Sequence, residues 1–395
     1  MKPCPPSPVP VIESAQAFES LRLRFASLRD DRVAGRTLYR LDETLMLAFC
    51  AMLCGYDGFE EMALFCKLQL PWFKQFLELK NGVPSHDVFR NIFLMLKAEA
   101  LADILRTWCG ELSGQHVAID GKALRGTYDQ AAGKCTLHLL RAWVGAYSLS
   151  AGHVTCRQKS NEIEALPRLL ATLQLKGAIV TIDAMGCQTN IVEELHGQGA
   201  DYLIALKNNQ KGTCKAVAAH FEQLDAQSGK GTLATVLYDQ REELSHGRFV
   251  LRECQVSADV AWYDKSWKWH GLRSVVRMRR LSHRGDQSGE LVEEVHYFIT
   301  SLPPNAKVIA KLIREHWSVE NSCHHVLDVT YREDHCQVRD TNAAHGLSVM
   351  REMTASVLKR HPAKASINLK RRRAAIDDAF RNQLLALIPL PTFGA

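Results

Sequence analysis

The chain has 395 residues, more than one ordinary hydrophobic core accommodates, so we predict two or three domains. Its apolar runs are shorter than the roughly 20 residues that span a bilayer, and the proline-rich start MKPCPPSPVP is unlike a secretory signal. These features exclude an integral membrane protein and favour a cytoplasmic protein with reduced cysteines. The net charge is +6, and most of it lies in residues 301–395, which contain 14 Lys and Arg and 9 Asp and Glu.

Residues 1–115 are expected to form an all-α N-terminal domain. Apolar residues recur at helical spacing after Ser14, and Asp42 is placed to cap a second helix that stops at Gly55. Four shorter helices are predicted between Pro, Gly and Asn residues, over 58–68, 71–79, 85–97 and 98–112. The third of these could be the second helix of a helix-turn-helix that binds DNA ends. Because the domain has 13 Lys and Arg against 14 Asp and Glu, packing or dimerisation is an equal alternative.

From residue 116 the hydrophobic pattern becomes extended. A short strand over 116–119 is followed by a hairpin, with strands over 137–149 and 153–157 and a turn at Ser150, Ala151 and Gly152. A helix is predicted to begin near Pro167, and residues 178–206 are predicted to form a strand, helix, strand unit with parallel strands. Three antiparallel strands followed by parallel strands flanked by helices is the order of an RNase H-like mixed sheet, which we expect to begin over 116–211.

The next segment, 212–300, is predicted to be a β-rich insertion because its strands are charged and rich in aromatic residues. Trp262, Trp267 and Trp269 could stack on an unpaired base, with core packing as the alternative. A helix after Pro303-Pro304 then opens the segment 301–358, which is expected to complete the mixed-sheet domain.

Residues 359–395 are predicted to be a basic C-terminal tail. Seven basic residues and no acid lie between Lys359 and Arg373, a pattern suited to a phosphate backbone. Arg371, Arg372 and Arg373 are therefore candidate DNA contacts, and a solvated helix face is the alternative.

Two aspartates follow almost uncharged predicted strands. Asp120 comes after HVAI and Asp183 after AIVTI. Side chains at the carboxyl ends of neighbouring parallel strands meet at one edge of a sheet, so we expect the two carboxylates to lie close together. Such a pair is favourable mainly when a divalent cation lies between its members, although a single aspartate there could simply cap a loop.

A third acid is suggested by helical spacing. Ile309, Ile313, His316 and Glu320 fall on one stripe of a predicted helix, so Glu320 is expected on the face that docks against the sheet. A buried carboxylate needs a partner, either a cation such as Arg314 or a metal ion beside the two aspartates. A site of oxygen ligands suits Mg2+ or Mn2+ better than Zn2+.

A zinc site is a rival interpretation of the residues after Glu320. Cys323, His324, His325, His335 and Cys336 are close in sequence. Their spacings fit no standard zinc finger, and adjacent histidines rarely bind one ion. No P-loop, nucleophile elbow or H-E-x-x-H motif occurs in the chain, which excludes the usual signatures of an NTPase, a serine hydrolase and a zinc protease.

Several longer motifs occur in one order along nearly the whole chain. They are PSHDVF (84–89), HVAIDGKALRG (116–126), QKSNEIEALPRLL (158–170), IVTIDAMGCQTNIVEEL (179–195), GADYLIALKNNQ (199–210), HGR (246–248), REHWSVEN (314–321) and VLDVTYREDHCQVR (326–339). These motifs resemble those of the insertion-sequence DDE transposases that include the H-repeat-associated proteins. The resemblance implies that Asp120, Asp183 and Glu320 are the catalytic, metal-binding triad.

The resemblance also implies a mechanism and partners. Two Mg2+ or Mn2+ ions would support cleavage of the transposon ends at their terminal inverted repeats and strand transfer into target DNA. The enzyme would be an endonuclease that works as a homodimer or higher oligomer. It would associate with the nucleoid when it is bound to DNA. Related transposases carry an arginine that contacts phosphate four residues before the glutamate. Here that position is His316, and Arg314 is expected to take over the phosphate contact. Other candidate contacts to the DNA backbone follow the predicted strands: Lys122, Arg125, Lys207, Asn208 and Gln210.

Two other functions remain open from the sequence. A catalytically silent or domesticated DNA-binding protein would recognise end sequences without cutting them. A nonspecific RNase H-like nuclease would cut regardless of end sequence.

Overall fold

A computed structural model describes residues 14–33, 35–128, 135–156, 162–227, 236–245, 248–283 and 291–390. Its helices are α1 (Ser14–Ala26), α2 (Leu41–Leu53), α3 (Phe59–Leu68), α4 (Leu70–Phe73), α5 (His86–Met95), α6 (Ala98–Arg106), α7 (Glu162–Leu170), α8 (Thr189–Gly197), α9 (Lys211–Gln227), α10 (Ala306–Val319), α11 (Thr341–Arg360), α12 (Ile367–Ile376) and α13 (Asp378–Leu385). Its strands are β1 (His116–Leu124), β2 (Leu137–Val144), β3 (Leu149–Cys156), β4 (Ile179–Ile182), β5 (Asp201–Leu206), β6 (Val236–Ser245), β7 (Arg248–Ser257), β8 (Ser274–His283) and β9 (Leu291–Thr300). None of the helices within these ranges is long and apolar enough to cross a membrane.

The chain divides into two compact units. Unit 1 comprises Met1–Gly110, Gly121–Glu162 and Glu320–Ala395, and unit 2 comprises Glu111–Asp120 and Ile163–Val319. The chain therefore passes from one unit to the other directly after Asp120 and directly before Glu320.

Unit 1 is mainly helical, and its core is built around α2 and α11. All of α2 is buried, as is α11 from Ala343 to Leu358. Helices α5 and α6 pack against α11, and α1 packs against α2. Between residues 14 and 106 the structure has the helices α1 to α6, and α4 is shorter than the predicted helix over 71–79.

Asp42 does not cap α2, contrary to the sequence prediction. It lies inside the first turn of α2, where its buried carboxylate forms ion pairs with Arg22 and with Arg40, the latter at 2.8 Å. The guanidinium groups offer this carboxylate stronger, charge-assisted hydrogen bonds than backbone amides would.

The predicted hairpin exists in unit 1, but its turn was placed wrongly. Strands β2 and β3 pair antiparallel and the turn spans residues 145–148, whereas Ser150 and Gly152 lie within β3. A bulge between Ala142 and Trp143 shifts the register. Ser148 occupies the left-handed region at φ 53°, a conformation that small polar residues adopt in turns more readily than bulky ones.

Unit 2 holds a mixed sheet whose strand order, beginning with the first half of β1, is β1-β4-β5-β9-β8-β7-β6. The pairs β1–β4 and β4–β5 are parallel, as expected for the strand, helix, strand unit. Strand β9 pairs antiparallel with β5, so the four strands of the predicted insertion extend this sheet. Strand β1 also contributes its second half to unit 1, where the strand order is β3-β2-β1.

Three other boundaries differ from the predictions. Pro167 lies inside α7 rather than at its start, and the segment after residue 211 begins with the helix α9 rather than with strands. The predicted basic tail is folded into α12 and α13, because Phe380 and Leu384 supply an apolar face that packs in the core. Residues 246 and 247 of the HGR motif and 158–161 of the QKSNEIEALPRLL motif lie outside the described residues.

Candidate active site

Asp120 and Asp183 occupy equivalent positions on two neighbouring parallel strands. The parallel register of β1 and β4 ends with the pair Ile119–Ile182, and each aspartate is the next residue. Strand β1 continues to Leu124, so Asp120 lies within a strand rather than at its end as predicted. Nevertheless the parallel pairing stops at Ile119, which leaves both carboxylates at the same edge of the paired region.

The strand and the turn that follow hold Asp183 in place. Its Oδ1 accepts a hydrogen bond from the backbone N–H of Met185 at 3.1 Å and so caps the short 3-10 turn Ala184–Gly186. Asn209, in the loop after β5, donates from Nδ2 to the carbonyl of Ala184. Sequence reasoning missed Asn209, although it stands between two residues of the KNNQ motif that were singled out.

His316, near the end of α10, lies close to both aspartates. Burial lowers the pKa of His316, and the charges of Asp120 and Asp183 oppose this shift without cancelling it. The imidazole therefore stays uncharged at neutral pH. Two carboxylates and a neutral imidazole come together in unit 2 at the edge of β1 and β4.

Thr181 fixes the orientation of His316. Its hydroxyl lies 2.8 Å from His316 Nδ1 and 2.8 Å from His116 Nε2, and His116 Nδ1 lies 3.6 Å from a carboxylate oxygen of Glu315. A hydroxyl can donate one hydrogen bond and accept another, so it can serve both imidazoles at once. Burial also lowers the pKa of His116, to about 4.

Glu320 opens the last segment of unit 1. It begins a π-helical stretch, Glu320–His324, directly after the α-helix α10. Its side chain is 61% exposed, and a carboxylate oxygen lies 3.6 Å from His324 Nδ1. The hydrogen bond from His324 lowers the pKa of Glu320, against the opposing effect of burial. The prediction of a buried Glu320 was wrong, because the wider π-turn changes the direction in which successive side chains point.

The residues proposed to bind DNA after β1 differ in exposure. Lys122 is buried and forms ion pairs with Asp328 and, at 2.8 Å, with Glu333. Arg125 is 80% exposed, with Nε 3.5 Å from Asp334. In this structure Lys122 serves an internal ion-pair network, whereas Arg125 is accessible to a ligand.

Lys207 and Asn208 follow β5 and are exposed, and Gln210 donates from Nε2 to the carbonyl of Cys187 at 2.9 Å. Arg314 on α10 is half-buried. This group lies in unit 2 with Asp183, and Gln210 has a clear role in holding the loop after the 3-10 turn.

The three predicted DNA contacts of the basic run are not equivalent. Arg371 is buried, donates to the carbonyls of Met52 and Thr330, and pairs with Asp57. Arg372 is exposed, and Arg373 is exposed with Nε 3.0 Å from Asp377. Local sequence could not separate these neighbours, because the partners of Arg371 lie far away along the chain.

The rival zinc interpretation gains no support. Cys323 and His324 are buried, whereas His325 and His335 are exposed. Across the part of the chain that the structure describes, these side chains form no group of three ligand atoms within reach of one ion. Burial raises the pKa of the Cys323 thiol to about 12, which disfavours the thiolate that zinc requires.

A buried ion-pair network in unit 1 was not foreseen from the sequence. Glu333 pairs with Lys122 at 2.8 Å, with Arg141 at 3.5 Å and with Arg351 at 3.8 Å, and it accepts a hydrogen bond from the Ser348 hydroxyl at 2.6 Å. Burial alone would raise the pKa of Glu333, but these cations outweigh it and hold the pKa well below its usual range. The network ties the second half of β1 to the segment that follows Glu320.

Comparison with known proteins gives family matches over most of the chain. Residues 111–358 match the family described as "Transposase DDE domain", and residues 23–109 match the family described as "DDE_Tnp_1-associated". The H repeat-associated putative transposase YhhI of Escherichia coli (strain K12) is 32% identical over 378 residues, covering 93% of this chain and 98% of the relative. The Putative transposase YncI of Escherichia coli O157:H7 is 32% identical, covering 94% and 95%.

A solved structure, the cryo-EM piggyBac transposase synaptic complex with hairpin DNA, aligns over 98% of this chain and 87% of its own, with 9% identity and a TM-score of 0.43.

Proposed function

The chain belongs to the DDE transposase family that includes the H-repeat-associated proteins, and we propose that it cleaves specific DNA ends and joins them to target DNA. We further propose that the parallel strands β1, β4 and β5, with the antiparallel hairpin β2–β3, are an RNase H-like catalytic sheet. We also propose that the protein works in the bacterial cytoplasm and associates with the nucleoid when it is bound to DNA.

The observation that carries this proposal is the position of the two aspartates. Asp120 and Asp183 each follow the last parallel pair of β1 and β4, and both act electrostatically on His316. Adjacent carboxylates repel each other unless a cation neutralises them. Their shared edge is therefore suited to binding a divalent cation.

The available donors fit divalent metal ions of the hard type. Asp120, Asp183 and Glu320 offer carboxylate oxygens, which suit Mg2+ or Mn2+. We propose that they hold two ions, as the family resemblance implied. When bound, such ions activate the attacking oxygen and stabilise the leaving oxygen of a phosphodiester.

The surrounding residues position the carboxylates. The amide of Met185 and the side chain of Asn209 fix the turn that carries Asp183. Thr181 holds His316 through Nδ1, and burial keeps that imidazole neutral, so it adds no positive charge that would compete with a cation. Glu320 is exposed, and its lowered pKa keeps it ionised, the form in which a carboxylate binds a metal ion.

We propose transposon-end DNA and target DNA as partners, and at least a dimer in the complex, because two ends must be joined together. Lys207, Asn208, Arg125 and Arg314 are the proposed backbone contacts near the catalytic segments, with Arg372 and Arg373 farther along the chain. Lys122 and Arg371 are proposed instead to support the fold, since their charges are already paired.

The test is cleavage of a labelled duplex that carries the element's terminal sequence, in Mg2+ and in Mn2+. The native protein should nick or cut at the end, and Asp183→Asn should not. Cleavage that survives Asp183→Asn contradicts the proposed site. End binding without cleavage in either metal would identify a silent DNA-binding protein, and cutting of scrambled DNA at the same rate would identify a nonspecific nuclease.

A further inference from the structure

A large cleft lies in unit 1, remote in sequence from the two aspartates. Its volume is about 1270 Å³, which exceeds the size of most small-molecule pockets. Residues of α5, of α12 and of the loop 329–340 line it. We call it the arginine cleft, after the exposed arginines on these three segments: Arg90, Arg332, Arg339 and Arg372.

Two of the arginines come from helices that present a cleft-lining face. Helix α5 buries Phe89, Ile92 and Phe93. Its residues Arg90 and Leu94, one turn apart, line the cleft. Helix α12 contributes Arg372 together with Ile376, also one turn apart.

The loop contributes Arg332 in an unusual backbone conformation. Arg332 has φ 51° and ψ 41°, the left-handed region that non-glycine residues seldom occupy. Such a conformation persists only where the surrounding structure imposes it, and it is common at binding sites. Tyr331 is buried and stacks against Arg371, with the guanidinium carbon 3.9 Å from the ring centroid, so the loop is anchored beside Arg332.

The acids of the cleft are already used within the fold. Asp57 pairs with Arg371, and Glu61 accepts hydrogen bonds from the amides of Asp57 and Gly58 at 3.0 Å. Asp340 caps α11 through the amide of Ala343 at 2.8 Å. By contrast, Arg90, Arg332 and Arg372 form no ion pair with any of the described residues. The lining carries six arginines and three carboxylates, so its net charge is positive.

We propose that the arginine cleft binds the phosphate backbone of transposon-end DNA. The proposal rests on the proposed function, because that function makes DNA the partner of this chain. Arginine forks match phosphate oxygens in a bidentate manner, and several of them along one groove follow a backbone. Val329 and Ile376 at the cleft are 63% and 86% exposed, and such apolar side chains can contact the deoxyribose faces between phosphates.

The experiment measures equilibrium binding of the full chain to a fluorescein-labelled duplex of the terminal sequence, by anisotropy at several salt concentrations. The test variant combines Arg90→Ala, Arg332→Asn and Arg372→Ala. Asparagine at 332 tolerates the left-handed backbone, so that change removes the charge without adding strain. The matched control is Arg29→Ala, which removes an arginine with an 82% exposed side chain outside the cleft.

The triple variant is expected to bind the duplex at least about 10-fold more weakly, with a salt dependence shallower by about 0.9 for each phosphate that is no longer neutralised. Arg29→Ala should bind as the native chain does, and thermal melting should show that both variants are folded. An unchanged affinity and salt slope in a folded triple variant would overturn the proposal. Loss of self-association in sedimentation, with DNA affinity intact, would also overturn it and assign the cleft to a second copy.

A failure of the DNA-binding proposal for the cleft can be distinguished from a failure of the proposed catalytic function. Asp183→Asn should abolish cleavage and leave binding to the cleft intact. A chain that binds ends through the cleft but never cuts them would overturn the catalytic proposal alone, whereas a chain that cuts ends independently of Arg90, Arg332 and Arg372 would overturn only the assignment of the cleft.

Discussion

Asp120 and Asp183 lie side by side at the edge of two parallel strands, each one residue beyond the register pair Ile119–Ile182. Because a cation at this edge would bind the folded chain and not the unfolded one, Mg2+ should raise the melting temperature of the native protein. Asp183→Asn should remove this rise and lower cleavage by at least about 100-fold, the upper range seen when residues that merely support a metal ligand are replaced. Calorimetry with and without Mg2+ measures the first effect, and gel assays of end cleavage measure the second.

Asp264→Asn is the control for this prediction, since Asp264 is an exposed acid of the same unit. It should keep both the metal-dependent rise and the cleavage rate. An equal rise in melting temperature for Asp183→Asn and the native protein would show that the ion binds elsewhere.

Thr181→Val should weaken catalysis through His316 without touching a carboxylate. Valine has nearly the shape of threonine but cannot hydrogen-bond either imidazole, so His316 Nδ1 is left without its hydroxyl partner. We expect a loss of about 1–3 kcal/mol in stability, the cost of unsatisfied buried polar groups, and a drop in cleavage rate of about 10- to 100-fold. Urea denaturation and single-turnover cleavage measure the two effects.

Thr181→Ser retains the hydroxyl and should restore most of the rate. If valine and serine variants cleave equally well, the hydroxyl has no part in positioning His316.

The pair of aspartates was predictable from the sequence, whereas the surroundings of Glu320 were not. The runs HVAI and AIVTI indicate two buried strands, and the helix between β4 and β5 requires a parallel crossover, so the place of Asp120 and Asp183 follows from local pattern and connection rules. The switch from α-helix to π-helix at Glu320 left no trace in the hydrophobic period, because it depends on tertiary packing.

The burial of charged residues was even harder to predict from the sequence. Lys122 and Arg371 look like surface cations in the sequence, but both are buried against partners contributed by distant segments. An ion pair between residues more than 200 positions apart leaves no local pattern. Adjacent arginines such as Arg371 and Arg372 could therefore be told apart only by the fold.

Arg371→Ala and Arg372→Ala should differ sharply in stability. Removing Arg371 leaves the partly buried carboxylate of Asp57 without its ion pair and the carbonyl of Met52 without two donors. Breaking a buried ion pair costs about 3–5 kcal/mol, whereas an exposed substitution such as Arg372→Ala changes stability by less than about 0.5 kcal/mol. Chemical denaturation of both variants measures the difference. Similar unfolding midpoints would contradict the structural role assigned to Arg371.

Glu333→Gln should destabilise unit 1 although it keeps the shape of the side chain. Glu333 is the carboxylate shared by Lys122, Arg141 and Arg351, and an amide leaves these buried cations undercompensated. We expect a loss of about 3–5 kcal/mol in the free energy of unfolding. Denaturation in urea measures it, with Glu99→Gln on the exposed surface of α6 as the control that should change little. An unfolding midpoint unchanged by Glu333→Gln would mean that the network contributes little to stability.

His345 should make the stability of the protein fall as the pH is lowered below neutral. Burial, together with the charges of His153 and Arg141, lowers the pKa of His345 to about 3 from its ordinary value of 6.5. Between these two values the unfolded chain binds a proton at His345 that the folded chain does not, so lowering the pH favours unfolding. The slope rises to about 1.4 kcal/mol per pH unit below the unfolded pKa, which gives a loss of roughly 1.7 kcal/mol between pH 6.5 and pH 5. Urea unfolding at a series of pH values measures this slope, which His345→Gln should reduce.

The slope should be reduced and not abolished, because His116, with a pKa lowered by burial to about 4, acts in the same direction. Glu352 adds a second loss at lower pH. Burial opposes ionisation of Glu352, but His153 and Arg141 outweigh it and bring the pKa to about 2, below the ordinary value of 4.5. Its contribution is therefore complete above pH 4.5 and is lost between pH 4.5 and pH 2. A His345→Gln variant whose stability falls as steeply as that of the native chain between pH 6.5 and pH 5 would rule out His345 as the group responsible.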